Sequence, residues 1–195
     1  HGGNCGIDDL DAIAQIDRRY ERRMELEDID FLALQGSYES DEPSFHGIRQ
    51  YNRIRFTGST YRVKTGLWIH RANHGQFNTG WGRYDSGPPG RWLLNVAPLI
   101  PASDQRTAAK VYISAFLEAT LHGETDYLPL FRDHRIGLAN DWLPEGSYIH
   151  RFQDSTFRAL ADFEEDIDVT TASLAGAHIE QRNLTVWREE DLAFR

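Results

Sequence analysis

Residues 29–36 read IDFLALQG, a mostly apolar run closed by Gly36. Such a run suits a strand covered on both faces, as in a parallel sheet. Working outward, SFHGIRQYNRIRF at 44–56 places Phe45, Ile48, Tyr51, Asn52 and Arg55 at helical spacing, with a narrow apolar side. The next run, YRVKTGLWIHRA at 61–72, predicts a second strand with Val63, Leu67 and Ile69 as its apolar members. Strand, helix, strand in this order implies a right-handed parallel crossover, hence an α/β fold with helices flanking a parallel sheet.

On the N-terminal side, residues 8–25 predict an amphipathic helix capped by Asp8 or Asp9, with Leu10, Ile13, Ile16, Tyr20 and Met24 close to one stripe. On the C-terminal side, DSGPPGRW is a loop by its glycines and prolines. A long helix begins near Ser103, capped by Ser103 or Asp104. Ala108, Val111, Tyr112, Ala115, Phe116 and Ala119 line one face, and Gly123 ends it. Ile113, Leu117 and Leu121 on another face suggest cover on a second side. Pro129 keeps YLPLF short. From Gly146 the pattern changes to short β-branched or aromatic runs, SYIHRFQDS, DIDVTTASL and NLTVW, which predict antiparallel β structure. The composition therefore divides the chain into residues 1–145 and a short β-rich segment at 146–195.

The balance of residues narrows the partners. With 40% hydrophobic and 26% charged residues among 195, the chain is ordinary for a globular protein, and no apolar run reaches the length of a membrane span. A net charge of -9 opposes binding to nucleic acid. The basic residues Arg18, Arg19, Arg22 and Arg23 are interleaved with Glu21, Glu25 and Glu27, as on a solvated helix face. Cys5 is the only cysteine, so no internal disulfide and no multi-cysteine metal site is possible within these residues. The chain opens on His1 rather than Met and closes on LTVWREEDLAFR, which we read as a segment of a longer polypeptide.

The two strand exits carry the candidate chemistry. The first leads into GSYESDEPSF and the second into the loop WIHRANHGQFN, with His74 among Asn73, Gly75 and Gln76. Groups beyond the carboxyl ends of neighbouring parallel strands, about 4.8 Å apart, share one rim. A carboxylate there can hold one imidazole nitrogen and leave the other as a proton acceptor. A carboxylate there can instead be a turn residue, and a loop histidine can be purely structural.

FLALQGSYESDEPSFHGIRQY resembles the acid-bearing strand and turn of the α/β-hydrolases, and WIHRANHGQFN resembles their histidine loop. YISAFLEATLHGETDYLPLFRD with LTVWRE is similar to large bacterial members that carry a β-rich, jelly-roll-like C-terminal domain. The resemblance implies the C-terminal part of a serine-hydrolase sheet acting on a small-molecule or polymer ester. It makes His74 the general base and then general acid. Glu39, three residues after Gly36, matches the orienting acid, with Asp41 as the alternative. Asn73, Gln76 and Asn78 would hydrogen-bond within the loop, and Phe77 and Trp81 would wall the substrate site. No cofactor and no bound metal are expected.

One part of that machinery has no counterpart. The tight nucleophile turn needs G-x-S-x-G, and no such pentapeptide occurs in the sequence. GNCGI lacks the glycine spacing and the preceding strand that a Cys5 nucleophile would need, and HGG at residues 1–3 is poorly placed for an oxyanion loop. The nucleophile and oxyanion hole are therefore expected in a missing N-terminal half of the same protein, the chain's principal partner, and this segment alone is expected to be inactive. His70 and His74 would hold zinc only on a helix, which the strand-then-loop pattern opposes. Glu164, Glu165, Asp166 and Asp168 suit calcium or, more simply, a solvated acidic edge. The rival reading is a non-catalytic carbohydrate- or protein-binding module on a degenerate hydrolase scaffold, with Tyr148, Phe152, Phe157 and Trp187 as contacts.

Overall fold

A computed structural model describes residues 26–41, 46–162 and 166–188. The expected helix at 8–25, Cys5 and the acidic pair Glu164 and Glu165 lie outside the described residues. Strand β1 (Phe31–Gly36) runs parallel to β2 (Val63–Ile69), with Leu34 opposite Leu67 and Gly36 opposite Ile69. Helix α1 (His46–Arg53) connects them and buries Tyr51. The strand–helix–strand unit expected from residues 29–72 is thus present, with α1 shorter than the periodic run that predicts it.

Alternation along β2 sends its two sets of side chains to two helices. Val63, Leu67 and Ile69 join the main core with Tyr112, Leu130, Phe131 and Tyr148. The opposite set meets α1. Gly66 lets Ile48 approach so closely that a Cβ would stand 2.6 Å from its Cδ1. Lys64 is 5% exposed, and its ammonium donates to the carbonyls of Tyr51 (3.1 Å) and Ile54 (2.5 Å), which places a cation on the orphan carbonyls at the C-terminal end of α1. A buried lysine here is a helix cap supplied from the sheet.

Helix α2 (Ala102–Leu117) covers the core face and buries Gln105, Ala108, Ala109, Tyr112 and Ala115. A single wider turn, Glu118–His122, follows, and Gly123 ends it at φ 77, where glycine carries no steric penalty. Neither Ser103 nor Asp104 caps the start. Pro101 precedes the helix, its carbonyl accepts from the N–H groups of Asp104 and Gln105, and the Ser103 hydroxyl donates to Asp104 instead. Ile113, Leu117 and Leu121 are exposed, so the second apolar side suggested by the sequence is not covered. A 3-10 turn at Thr125–Phe131 buries Leu128, Leu130 and Phe131, and a short helix α3 (Arg135–Ala139) leads toward the last strand.

The first run after Gly146 forms an antiparallel strand, as its sequence predicts. SYIHRFQDS supplies β3 (Tyr148–Asp154), which pairs antiparallel with β2, Tyr148 opposite Ile69 and His150 opposite Leu67. The sheet has the order β1-β2-β3 and is mixed, not purely parallel. The chain divides into compact units His1–Ser155 and Thr156–Arg195. β2 is buried on both sides and central. Its far edge has to be paired, and the next β-competent run satisfies it. Tyr148 and Phe152 consequently pack with the core. In the second unit, the described residues of DIDVTTASL and NLTVW form turns and one isolated bridge between Thr171 and His178 instead of the expected strands. No helix among the described residues is long and apolar enough to cross a membrane.

Candidate functional site

The turn out of β1 and the turn out of β2 are laced together at one rim. Ser37 N–H donates to Ile69 O (3.1 Å) and Tyr38 N–H to Ala72 O (2.9 Å). Gly36 permits this approach, because a Cβ there would overlap the Ala72 carbonyl. Arg71 adopts φ 62, a left-handed conformation uncommon for a residue with a side chain. Its N–H donates to Ser37 Oγ (2.8 Å) and its guanidinium to the Pro98 carbonyl. The chain therefore bends sharply after β2, and the segment from His70 to His74 is no helix, which removes the geometric basis for a two-histidine zinc site on that spacing.

The bend leads to a 3-10 turn at Gly75–Phe77, with His74 just before it. A buried amide network supports it from beneath. Gln105 of α2, with no exposed surface, accepts from Asn73 N–H (3.2 Å) and from the Gln76 side-chain amide (3.2 Å), and donates back to Asn73 O. Asn73 Oδ1 accepts from Gln76 N–H (3.2 Å), and Asn78 Oδ1 accepts from the N–H groups of Gly80 (2.7 Å) and Trp81 (2.8 Å). Asn73, Gln76 and Asn78 thus hold the loop by hydrogen bonds, as expected.

His74 Nδ1 lies 3.4 Å from Asp41 Oδ1, with the two side chains 38% and 29% exposed. Glu39, the acid favoured by its spacing from Gly36, turns back and accepts from Gly36 N–H at 2.9 Å. Burial lifts the Glu39 carboxyl above the ordinary carboxylate range, with Asp41 and Asp85 adding to the rise. The Gly36 N–H and His74 oppose it. Glu39 therefore belongs to the same charge cluster, but Asp41 is the acid in contact with the ring. Trp81 is 63% exposed, and its ring lies 5.4 Å from the imidazole, tilted by 31°. Phe77 packs against the main core, so of the two aromatic residues only Trp81 stands beside His74.

Asp85 is the organising residue that sequence reading passed over. Its Oδ1 accepts from Asn73 Nδ2 (2.7 Å) and Gly75 N–H (2.8 Å), and its Oδ2 from Ser40 N–H (3.2 Å) and His74 N–H (3.3 Å). One carboxylate thereby ties the acid turn to the histidine loop. The only sequence signal was its place in DSGPPGRW, where an aspartate ahead of Ser-Gly-Pro reads as a turn residue.

Next to Asp85, on the side lined by Ser40, Asn73 and Arg83, lies a cavity of about 220 Å³, with Leu94, Val96 and Leu99 among its apolar walls. Chemically, the rim offers an imidazole 3.4 Å from a carboxylate, with no hydrogen-bond partner for its Nε2 among the described residues, an exposed indole beside it, and a half-open pocket near at hand. No protein-family model, no curated protein and no solved structure matches this chain.

Proposed function

We propose that this chain carries the histidine and the orienting acid of an ester hydrolase of the α/β-hydrolase type. The nucleophilic serine and oxyanion hole would come from a part of the protein outside these 195 residues. The observation that carries the reading is the contact between His74 Nδ1 and Asp41 Oδ1 at the shared exit of two parallel strands. In that reading Asp41, not Glu39, fixes the tautomer and stabilises the imidazolium. Nε2 of His74 takes the serine proton during acylation and returns it to the leaving alkoxide, and in the second half-reaction it activates water against the acyl-enzyme. Asp85 positions the loop, and Trp81 shields the ring from water.

The test is p-nitrophenyl butyrate hydrolysis by two proteins, the 195-residue chain and the same chain extended upstream through the first G-x-S-x-G. The extended protein should turn over ester and the shorter chain should not. His74→Ala in the extended protein should lower the rate by on the order of 10⁴-fold. An unchanged rate in that variant would remove His74 from the chemistry, and His74-dependent turnover by the shorter chain would show that the nucleophile lies within it.

A further inference from the structure

We propose that residues 8–25, which lie outside the described residues, seat their apolar stripe in an open groove on the sheet between α1 and β3. No step of this rests on the hydrolase reading.

The groove follows from the pairing of the sheet. Alternation puts Gly66 and Trp68 of β2 and, opposite them, Arg151 and Ile149 of β3 on the face that carries α1. α1 lies over β1 and β2, where Gly47 meets Ala33 and Gly66 meets Ile48. Beside it remains a groove of about 580 Å³, almost wholly apolar, lined by Ile48, Gly66, Trp68 and Ile149, with Arg49 and Arg151 also in its wall. Ile149 is 66% exposed in the middle of its strand. A sheet built from strand–helix–strand units is covered on both faces, so an apolar groove here calls for an occupant.

Three features select residues 8–25. The first is where they end. Arg55 N–H donates to Leu26 O (3.1 Å) and Asp28 N–H to Arg55 O (3.0 Å), so the chain before Leu26 departs two residues beyond α1, the helix that flanks the groove. The second is length. As a helix these residues span about 27 Å, close to the roughly 23 Å of the seven-residue strand β2. The third is charge. At about 100° per residue, Leu10, Ile13, Ile16, Tyr20 and Met24 fall within roughly 60° of one centre. Asp9 and Asp17 stand roughly 40° from that centre on either side, whereas Arg18, Arg19 and Arg22 stand more than about 100° away. Acids thus border the apolar stripe as Arg49 and Arg151 border the groove, and the arginines of the segment turn to water. A second copy seated on the same groove would instead bring Arg49 and Arg151 against their own kind.

The test is photo-cross-linking in the full 195-residue chain. p-Benzoylphenylalanine replaces Ile149 in one protein and Leu117, on the exposed side of α2, in another. Irradiation of dilute protein is followed by peptide mass mapping. The probe at 149 should join residues 8–25 of its own chain, and the probe at 117 should not. Ile13→Asp combined with Ile16→Asp, which puts two charges into the apolar stripe, should lower the yield from 149 by at least about tenfold. The mapping on the chain without those two changes decides the matter whether or not the doubly substituted chain folds. A probe at 149 that joins a second chain, joins only residues outside 8–25, joins nothing, or captures 8–25 no better than the probe at 117 overturns the proposal.

Discussion

Asp85 receives the backbone N–H of Gly75 at 2.8 Å, and with its other oxygen the N–H of Ser40, so one side chain ties together the two turns that hold His74 and Asp41. Removing it leaves several amides without an acceptor in a partly buried site. Asp85→Ala should therefore cost about 2–4 kcal/mol in urea-induced unfolding, from unsatisfied donors at roughly 1–3 kcal/mol each with partial rescue by water. A loss below about 0.5 kcal/mol would place Asp85 outside the framework of the rim.

The two acids separate by substitution. In the extended protein, Asp41→Asn should reduce kcat by on the order of 10³- to 10⁴-fold, because an amide next to Nδ1 favours the wrong tautomer. Glu39→Gln, which keeps an oxygen for Gly36 N–H, should change it less than tenfold. The reverse ranking would return the acid role to Glu39.

Glu39 also predicts a pH dependence. Burial raises its folded carboxyl above the ordinary value of 4.5, so the fold favours the protonated form. The penalty is absent below that value and grows as pH rises through the interval above it. Glu39→Gln should leave stability at pH 4 nearly unchanged and raise it at pH 7. Parallel denaturation curves at the two pH values check this, and equal effects at both would reject it.

His150 acts in the opposite sense. It faces the core from β3 with Nε2 2.8 Å from the Tyr112 hydroxyl and its ring 5.7 Å from that of His134. Burial, helped by His134, pushes its ring down to about 4 from 6.5, against the pull of Asp133. The neutral form is favoured in the fold, so stability is complete above about 6.5 and is lost as pH falls toward 4. The loss by pH 5 should be on the order of 1–2 kcal/mol, allowing for the ring's partial exposure. His150→Gln should flatten this acid limb, and an NMR titration of the unmodified ring should have its midpoint near 4.

Gly36→Ala probes the lacing of the strand exits. The new methyl would overlap the Ala72 carbonyl, so the two turns must part and strain the Tyr38–Ala72 hydrogen bond. A destabilisation of about 2 kcal/mol is expected by thermal or chemical unfolding. A stabilised variant would mean that the exits are not held together as described.

The strand–helix–strand unit, the long helix from residue 102 and the self-bonded histidine loop were legible in the residues themselves. Each is written in short-range terms. Apolar period sets the first two, and small or amide side chains close the third on itself within a few residues. The assignment of β3 to the sheet was not legible, because a strand's partner depends on which edge is open once the rest has packed. Nor was the choice of Asp41 over Glu39. The two acids stand on one turn, and only the Gly36 N–H, which Glu39 accepts, and the position of the ring across the rim decide which carboxylate turns which way. Asp85 was hidden for the same reason. Its value lies in four donors drawn from two loops, and local pattern carries information only about neighbours along the chain, whereas such a site is made by neighbours in space.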